Sequence, residues 1–133
     1  MSDAAADTLL NAFFAAIERA DVAAVSTLYA ADVTVWHSND NITQNKTENL
    51  KTLGYLTKVA TLRYTILERI ISGESVAQRH RVEITARANG ASAGSQAAIF
   101  FTMRGGLIHR IDEYIDSGSV RELTALLRSG PQN

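Results

Sequence analysis

The apolar residues at the start of the chain recur with a helical period. Over residues 4–20 they return every three or four positions, which places them on one face of a helix. This stripe consists of Leu9, Leu10, Phe13, Phe14 and Ile17. Asp21 is a typical N-cap, and a second stripe with the same period follows it. Its members are Val22, Val25, Leu28 and Tyr29. The pattern predicts two consecutive amphipathic helices.

A short strand and a third helix are predicted next. Residues 32–36 are rich in β-branched side chains, which favours a strand, whereas residues 38–44 are polar and predict a loop. Asn45 with Glu48 three positions later is the pattern of a helix start. The apolar stripe of this third helix consists of Leu50, Leu53 and Leu56.

In the second half of the chain the pattern changes to that of strands. Four segments rich in strand-forming residues are separated by turns that contain glycine, which is typical of an antiparallel meander. These segments are residues 62–71, 76–88, 95–103 and 107–116. Ser119 and Glu122 then form a capping-box pattern that predicts a short closing helix.

This order of elements predicts an α+β fold in one domain, residues 1–133. A curved antiparallel sheet would wrap around the apolar stripes of the N-terminal helices and enclose a cone-shaped interior. The wide end of such a cone is open, and a small ligand can enter there.

Composition narrows the possible functions. The net charge of -1 provides no basic excess for neutralising phosphates, which argues against a nucleic-acid partner. The absence of cysteine excludes disulfides, thiol catalysis and thiolate metal sites, and fits a reducing compartment. No signal-like start and no membrane-length apolar run is present, so we expect a cytoplasmic protein without a membrane partner.

Three stretches carry a resemblance to a known family. Residues 13–17 read FFAAI, residues 28–36 read LYAADVTVW, and residues 113–116 read EYID after a strand that begins GLI. With the order of elements, they resemble the SnoaL-like branch of the nuclear transport factor 2-like superfamily. Ketosteroid isomerase, limonene epoxide hydrolase and polyketide cyclases share this fold. The resemblance implies the α+β cone, a pocket for a small, mostly apolar molecule, and a homodimer through the sheet face.

The resemblance to ketosteroid isomerase does not extend to its chemistry. Its general-base aspartate corresponds to His37, and its oxyanion tyrosine corresponds to Phe13. A phenylalanine cannot donate a hydrogen bond to a developing enolate, so steroid isomerisation is not expected.

The epoxide hydrolase pattern fits better and implies four catalytic residues. Arg81 and Glu83 take the positions of that family's arginine and first carboxylate, and Glu113 takes the position of its second carboxylate. His37 and Asn39 correspond to its water-holding residues. Arg81 would hold the two carboxylates close together. Apolar neighbours would raise the pKa of Glu113, as an acid near neutral pH needs, whereas Arg81 would lower it, so the direction depends on which lies closer. Both carboxylates are glutamate instead of the family's aspartate, and His37 replaces a tyrosine.

Other interpretations of these residues remain open. Arg81 and Glu83 could form an ion pair on a solvated sheet face, and the segment that begins at His37 could be an ordinary polar loop. The three histidines, at positions 37, 80 and 109, match no metal-ligand spacing, and Gly105-Gly106 precedes no helix. We therefore expect no metal, flavin or nucleotide cofactor.

The sequence favours an enzyme that performs cofactor-independent hydrolysis, isomerisation or cyclisation. A non-catalytic ligand-binding or interaction domain is the alternative. The residues expected to line the pocket, besides the four catalytic candidates, are Asn39, Trp36, Phe13, Tyr55, Ile111 and Ile115. If Arg81 and Glu83 face inward, then Val82 and Ile84, with Ile99 or Phe100 nearby, form the outer face that would pair two copies.

Overall fold

The computed structural model of the protein describes residues 1–129 and contains four helices and six strands in that range. The helices are α1 Asp3–Glu18, α2 Val22–Leu28, α3 Lys46–Val59 and α4 Ser117–Ser129. The strands are β1 Tyr29–His37, β2 Ile42–Gln44, β3 Ala60–Ser72, β4 Ser75–Ala86, β5 Ser92–Arg104 and β6 Leu107–Ile115. No helix within these residues is long and apolar enough to cross a membrane.

The helix starts follow the capping residues in the sequence. Asp21 accepts a hydrogen bond from the backbone of Ala24, as an N-cap does. Asn45 and Glu48 form the complete predicted capping box, because each side chain accepts from the other residue's backbone N–H. The closing helix begins earlier than predicted. Asp116, and not Ser119, is its cap, because the Asp116 carboxylate accepts from both the backbone and the hydroxyl of Ser119.

The six strands form one curved, unclosed sheet in the order β2-β1-β6-β5-β4-β3. The four long strands make the predicted antiparallel meander, but β1 runs parallel to β6, so the sheet is mixed. The short edge strand β2 lies where a loop was predicted, since three residues give too little pattern to detect. The inner face of the sheet and the apolar faces of the helices enclose the core, which confirms the predicted α+β cone.

The alternation of burial along β4 is opposite to the one expected. Val82 and Ile84 are buried in the core, whereas Arg81 and Glu83 are exposed on the outer face. The physical reason is the period of two in a strand: turning Arg81 and Glu83 inward would put two large apolar side chains in water. Gln78 and His80 share the inward side with the apolar residues and are buried as well.

A bulge changes which residues of β6 face inward. Between β5 and β6 the register shifts next to Met103, so that both Ile108 and Ile111 are buried. Strict strand alternation would place His109 on the same face as Ile111 and Glu113. It lies instead beside Asp32, with 3.6 Å between Nδ1 and the carboxylate oxygen.

Candidate functional site

A small cavity lies between the inner face of the sheet and helices α1 and α3. Its volume is about 60 Å³. The walls are mainly apolar and aromatic, and the polar groups come from five side chains. The lining residues are Phe13, Phe14, Ile17, Tyr29, Val35, His37, Asn49, Leu53, Tyr64, Ile99, Ile111 and Glu113.

Parallel pairing of β1 and β6 brings His37 and Glu113 together. The two residues are register partners, and Nε2 of His37 lies 3.2 Å from Oε1 of Glu113. Ser38 fixes this junction: its backbone N–H donates to the Glu113 carbonyl, and its hydroxyl accepts from the Ile115 N–H. The His37 side chain is 29% exposed and that of Glu113 17%, so the pair runs from the rim of the cavity inward.

A second histidine approaches Glu113 from the core. Nε2 of His80 lies 3.6 Å from Oε2 of Glu113, and the His80 side chain is fully buried. The carboxylate thus lies between two imidazole rings, one at the rim and one in the interior.

The two histidines decide the charge of Glu113. Burial by itself raises the pKa of this carboxyl group, but the interactions with the neighbouring His37 and His80 rings outweigh burial and lower the pKa from 4.5 to about 2. Glu113 is therefore an ionised carboxylate at neutral pH. Of the two directions left open for the pKa of Glu113, the lowered one holds, and the neighbours responsible are His37 and His80 and not Arg81.

The charge of Glu113 in turn shifts its neighbours. Burial lowers the pKa of His37, but the hydrogen bond to Glu113 and the charges of Glu113 and Asp40 raise it above 6.5 overall. Burial and the same carboxylate charge raise the pKa of Tyr29 and of Tyr64 above the usual tyrosine range. Both phenols are therefore neutral hydrogen-bond donors at physiological pH.

The two tyrosines differ in how their hydroxyl groups are engaged. The Tyr29 hydroxyl donates to Oδ1 of Asn49 at 2.7 Å, and the Asn49 amide donates to Gln44 at 3.0 Å. The Tyr64 hydroxyl has no hydrogen-bond partner within residues 1–129, although its ring packs 4.7 Å from that of Phe14. Tyr64 thus presents an unused donor at the cavity.

Comparison with known proteins gives this arrangement a family. The profile of the SnoaL-like domain family matches residues 10–111. The chain belongs to the SnoaL-like domain family. No curated protein sequence matches this SnoaL-like domain.

Solved structures support the fold of the SnoaL-like domain. A hypothetical protein with a ketosteroid isomerase-like fold from Catenulispora acidiphila, in complex with trimethylamine, has a TM-score of 0.76 at 19% identity over 89% of this chain and 92% of that chain. An NTF2-like protein of unknown function from Burkholderia pseudomallei has a TM-score of 0.77 at 21% identity, over 96% and 98%. PrhC from Penicillium brasilianum has a TM-score of 0.81 at 14% identity, over 92% and 87%.

The structure brings only part of the predicted site together in this SnoaL-like domain. His37, Glu113, Phe13 and Ile111 line the cavity. Arg81 and Glu83 do not, because they lie on the outer face of β4, and their assignment to the pocket is wrong.

Four predicted binding residues also lie elsewhere. Trp36 points to the outer face, where its indole N–H donates to Asn41 and its ring packs against Tyr114. Asn39 is exposed in the turn after β1. Tyr55 is 64% exposed on the outer side of α3. Ile115 lines a separate hollow beneath α4, next to Ile84 and Leu123.

The resemblance did not single out the polar residues that complete the cavity. Tyr29, Asn49 and Tyr64 lie next to apolar positions of their elements. Hydrophobic periodicity there predicts only that a residue is buried and does not indicate a polar role. His80 has the same parity as Val82 and Ile84 on β4, and this was the available signal that it is buried.

A larger depression on the outer face does not contain this chemistry. It has a volume of about 460 Å³ and is open to solvent. Its lining residues are Thr34, Trp36, Thr43, Arg110, Asp112 and Tyr114. Within residues 1–129 no three His, Cys, Asp or Glu side chains are arranged to hold a metal ion.

Proposed function

We propose that this SnoaL-like domain binds a small, mostly apolar molecule in the inner cavity and performs cofactor-independent acid–base chemistry on it. The observation that carries the proposal is the His37–Glu113 pair, 3.2 Å apart at the rim of an apolar cavity. The pair supports isomerase-, cyclase- or hydrolase-type reactions, all of which depend on proton transfer.

In this proposal His37 moves the proton and Glu113 holds the ring. Glu113 engages Nε2, which leaves Nδ1 of His37 without a hydrogen-bond partner in residues 1–129. A carboxylate that holds one ring nitrogen fixes the tautomer and orientation of the imidazole and stabilises the imidazolium. The pKa of His37 is raised above its ordinary value of 6.5, and a histidine can exist in both forms near neutral pH: the protonated ring supplies the acid and the neutral ring the base.

Tyr64 supplies the complementary donor. Its neutral hydroxyl can bind a carbonyl, hydroxyl or epoxide oxygen of the substrate, and a preorganised donor stabilises negative charge that develops there. This donor lies on β3. The resemblance to ketosteroid isomerase would instead place the donor on α1, at the position of Phe13. A small molecule with one oxygen function and an apolar body fits both the walls and this donor.

The size of the cavity limits the substrate. An apolar cavity of about 150 Å³ accommodates benzene, and pockets for drug-sized ligands span roughly 300–1,000 Å³. The 60 Å³ cavity therefore accepts only a few non-hydrogen atoms in its closed form. A larger substrate needs displacement of a partly buried lining residue, such as Leu53.

A second candidate is binding of a small organic cation without chemistry. The rings of Phe13, Phe14, Tyr29 and Tyr64 line the cavity together with an ionised carboxylate, and aromatic faces attract cations. The structural relative from Catenulispora acidiphila is in complex with trimethylamine. Protonated His37 would repel such a ligand, so the acid–base proposal accounts better for the rim of the cavity.

The test is a generic proton-exchange assay that needs no known product. Small enolisable ketones and epoxides are incubated with the protein in heavy water, and NMR follows deuterium incorporation and ring opening. With an accepted substrate, His37→Gln and Glu113→Gln should each lower the rate by on the order of a hundredfold or more. Tyr64→Phe should lower the rate as well, by removing the donor.

The control is His109→Gln, which removes a histidine outside the cavity and should retain full activity. Full activity of His37→Gln on an accepted substrate would rule out the mechanism. Saturable binding of trimethylamine that Glu113→Gln abolishes, without turnover of any member of the panel, would favour the second candidate.

We also propose that two copies pair through the outer face of the sheet. Trp36, Tyr114 and Phe100 form an aromatic row there, with ring centroids 5.1 and 6.0 Å apart. Phe100 is 47% exposed and Tyr114 52%. Of the residues predicted for this face, Phe100 is exposed, whereas Val82, Ile84 and Ile99 are in the core and not available.

A further inference from the structure

His80 is a buried imidazole that the proposed proton transfer does not use. It lies on the inner face of β4 with no exposed surface. Its ring packs edge-on against Phe14 and Tyr64, at centroid distances of 5.5 and 5.4 Å, and His80 does not line the cavity. Burying a polar ring costs free energy unless its nitrogens have hydrogen-bond partners.

Neighbouring side chains determine which nitrogen of His80 carries the proton. Nδ1 of His80 lies 3.0 Å from the amide nitrogen of Gln78. The amide oxygen of Gln78 accepts from Nε of Arg69 at 2.8 Å. Because a guanidinium only donates, the oxygen of Gln78 must face Arg69 and its NH₂ group must face His80. Nδ1 of His80 is then an acceptor, and the ring proton is on Nε2.

Arg69 is itself held in place by α1. Its Nη1 donates to the carboxylate of Asp7 at 2.6 Å and to the side-chain oxygen of Asn11 at 2.8 Å. The side chain of Arg69 is 8% exposed. The chain of hydrogen bonds therefore begins on a helix and crosses β3 and β4 to reach His80.

The Nε2–H of His80 is directed at Glu113. The distance to Oε2 is 3.6 Å, slightly longer than a hydrogen bond, and the buried Nε2 has no hydrogen-bond partner in the described part of the chain, so Glu113 is the acceptor within closest reach. We propose that Arg69 and Gln78 lock His80 as a donor to Glu113, and that this second donor holds the carboxylate in the orientation in which it meets His37. His80 is thus a positioning residue. Its effect on turnover rests on the proposed function, whereas the positioning does not.

The test compares two variants that differ in the donor. His80→Phe keeps a ring but removes the N–H, whereas His80→Gln retains an amide N–H of similar reach. With one donor fewer, Glu113 becomes a stronger acceptor for His37, so the pKa of His37 should rise by about half a unit to one unit in His80→Phe. In His80→Gln the pKa should stay close to that of the wild type. NMR titration of the His37 ring protons measures both.

The titration also reflects the other charges near the pair. Glu113 and Asp40 act on His37, and His37, His80, Tyr29 and Tyr64 surround Glu113. All of them are retained in both variants except His80 itself. His109→Gln serves as the control for loss of a histidine and should leave the His37 titration unchanged.

Two results would overturn the proposal. One is an unchanged His37 titration in a folded His80→Phe variant. The other is the same shift in both variants, which would indicate lost packing and not a lost donor. If His80→Phe does not fold, the ¹⁵N spectrum of the wild-type imidazole decides: a proton on Nε2 supports the proposal, and a proton on Nδ1 refutes it.

These measurements need no substrate, so they separate the two proposals. An Nε2 proton and a shifted His37 titration, together with no turnover of any compound, would leave the positioning intact and remove the acid–base function. Turnover that depends on His37, together with an Nδ1 proton on His80, would support the acid–base function and refute the positioning.

Discussion

At the scale of single residues, the environment of Glu113 decides what this carboxyl group can do. Apolar walls would make it an acid, but the two imidazole N–H groups make it a stable anion. Glu113 is therefore the ionised partner of the pair, and His37 is the group that titrates nearer to neutral pH.

This assignment predicts how stability depends on pH. The folded-state pKa of Glu113 is about 2 and its ordinary value is 4.5. A lowered pKa contributes stability above pH 4.5, and that contribution is lost as the pH falls toward 2. It amounts to about 3 kcal/mol at 1.36 kcal/mol per pKa unit. Urea unfolding of the wild type and of Glu113→Gln between pH 2 and 7 should show a steeper loss for the wild type.

The opposite sign holds for His37. Its raised pKa contributes stability below pH 6.5, and that contribution disappears as the pH rises through the folded-state value. Glu113→Gln should reverse this dependence, because burial, which lowers the pKa of His37, then outweighs the charge of Asp40. Asp21 and Asp116 also have lowered pKa values, owing to their capping hydrogen bonds, and they remain in the variant. Parallel pH curves for the two proteins would contradict the ion pair.

Sequence reasoning found His37 because it follows a recognisable stretch of β1, and Glu113 because it begins a recognisable stretch of β6. It misplaced Arg81 and Glu83 because it followed the motif of the resembling family. The alternation along the strand, in which Val82 and Ile84 occupy the opposite face, indicated the reverse. It treated His80 only as a possible metal ligand. The contacts that give His80 its role come from Gln78 two residues away, from Arg69 on another strand and from Asp7 on α1. Such a network depends on tertiary packing, which a local pattern does not contain.

At the scale of elements, the caps and periods of the sequence were sufficient for most of the fold. Asn45 and Glu48 set the start of α3, and the glycines set the turns of the meander. At Gly105-Gly106 both residues have positive φ, 60° and 78°, as a tight hairpin between β5 and β6 requires. The parallel pairing of β1 with β6 was not predicted. It joins two segments that are far apart in the sequence, and neither segment contains a local pattern that indicates its partner.

The two faces of β4 should differ sharply in sensitivity to substitution. Ile84 is 7% exposed and packs in the core, so Ile84→Ala should lower the free energy of unfolding by about 2–5 kcal/mol. Glu83 lies on the solvated side, and Glu83→Ala should change it by no more than about 0.5 kcal/mol. Denaturant unfolding measures both. Equal losses, or a larger loss for Glu83→Ala, would mean that β4 faces the other way in solution.

At the scale of the whole molecule, the outer face of the sheet is the feature to test. If two copies pair there, light scattering at micromolar concentration should give the mass of a dimer. Tyr114→Lys should shift the protein to monomer, because a lysine ammonium cannot be buried without a partner. Tyr55→Lys is the matched control: it replaces another exposed tyrosine, on α3, and should remain dimeric. A monomeric wild type would refute the proposal.

The parallel pairing of β1 with β6 also determines the order in which the site can be assembled. The hydrogen bonds between Ser38 and Ile115 close a span of 77 residues, whereas each hairpin of the meander closes a short turn. Closing a long loop costs more entropy than closing a short one, so local hairpins are favoured early in folding. In a partly folded chain in which only the meander has formed, Glu113 and His80 are in place but His37 is not, because it lies on β1. The carboxylate therefore meets its rim partner only when β1 pairs with β6, and the His37–Glu113 pair is a property of the completed fold.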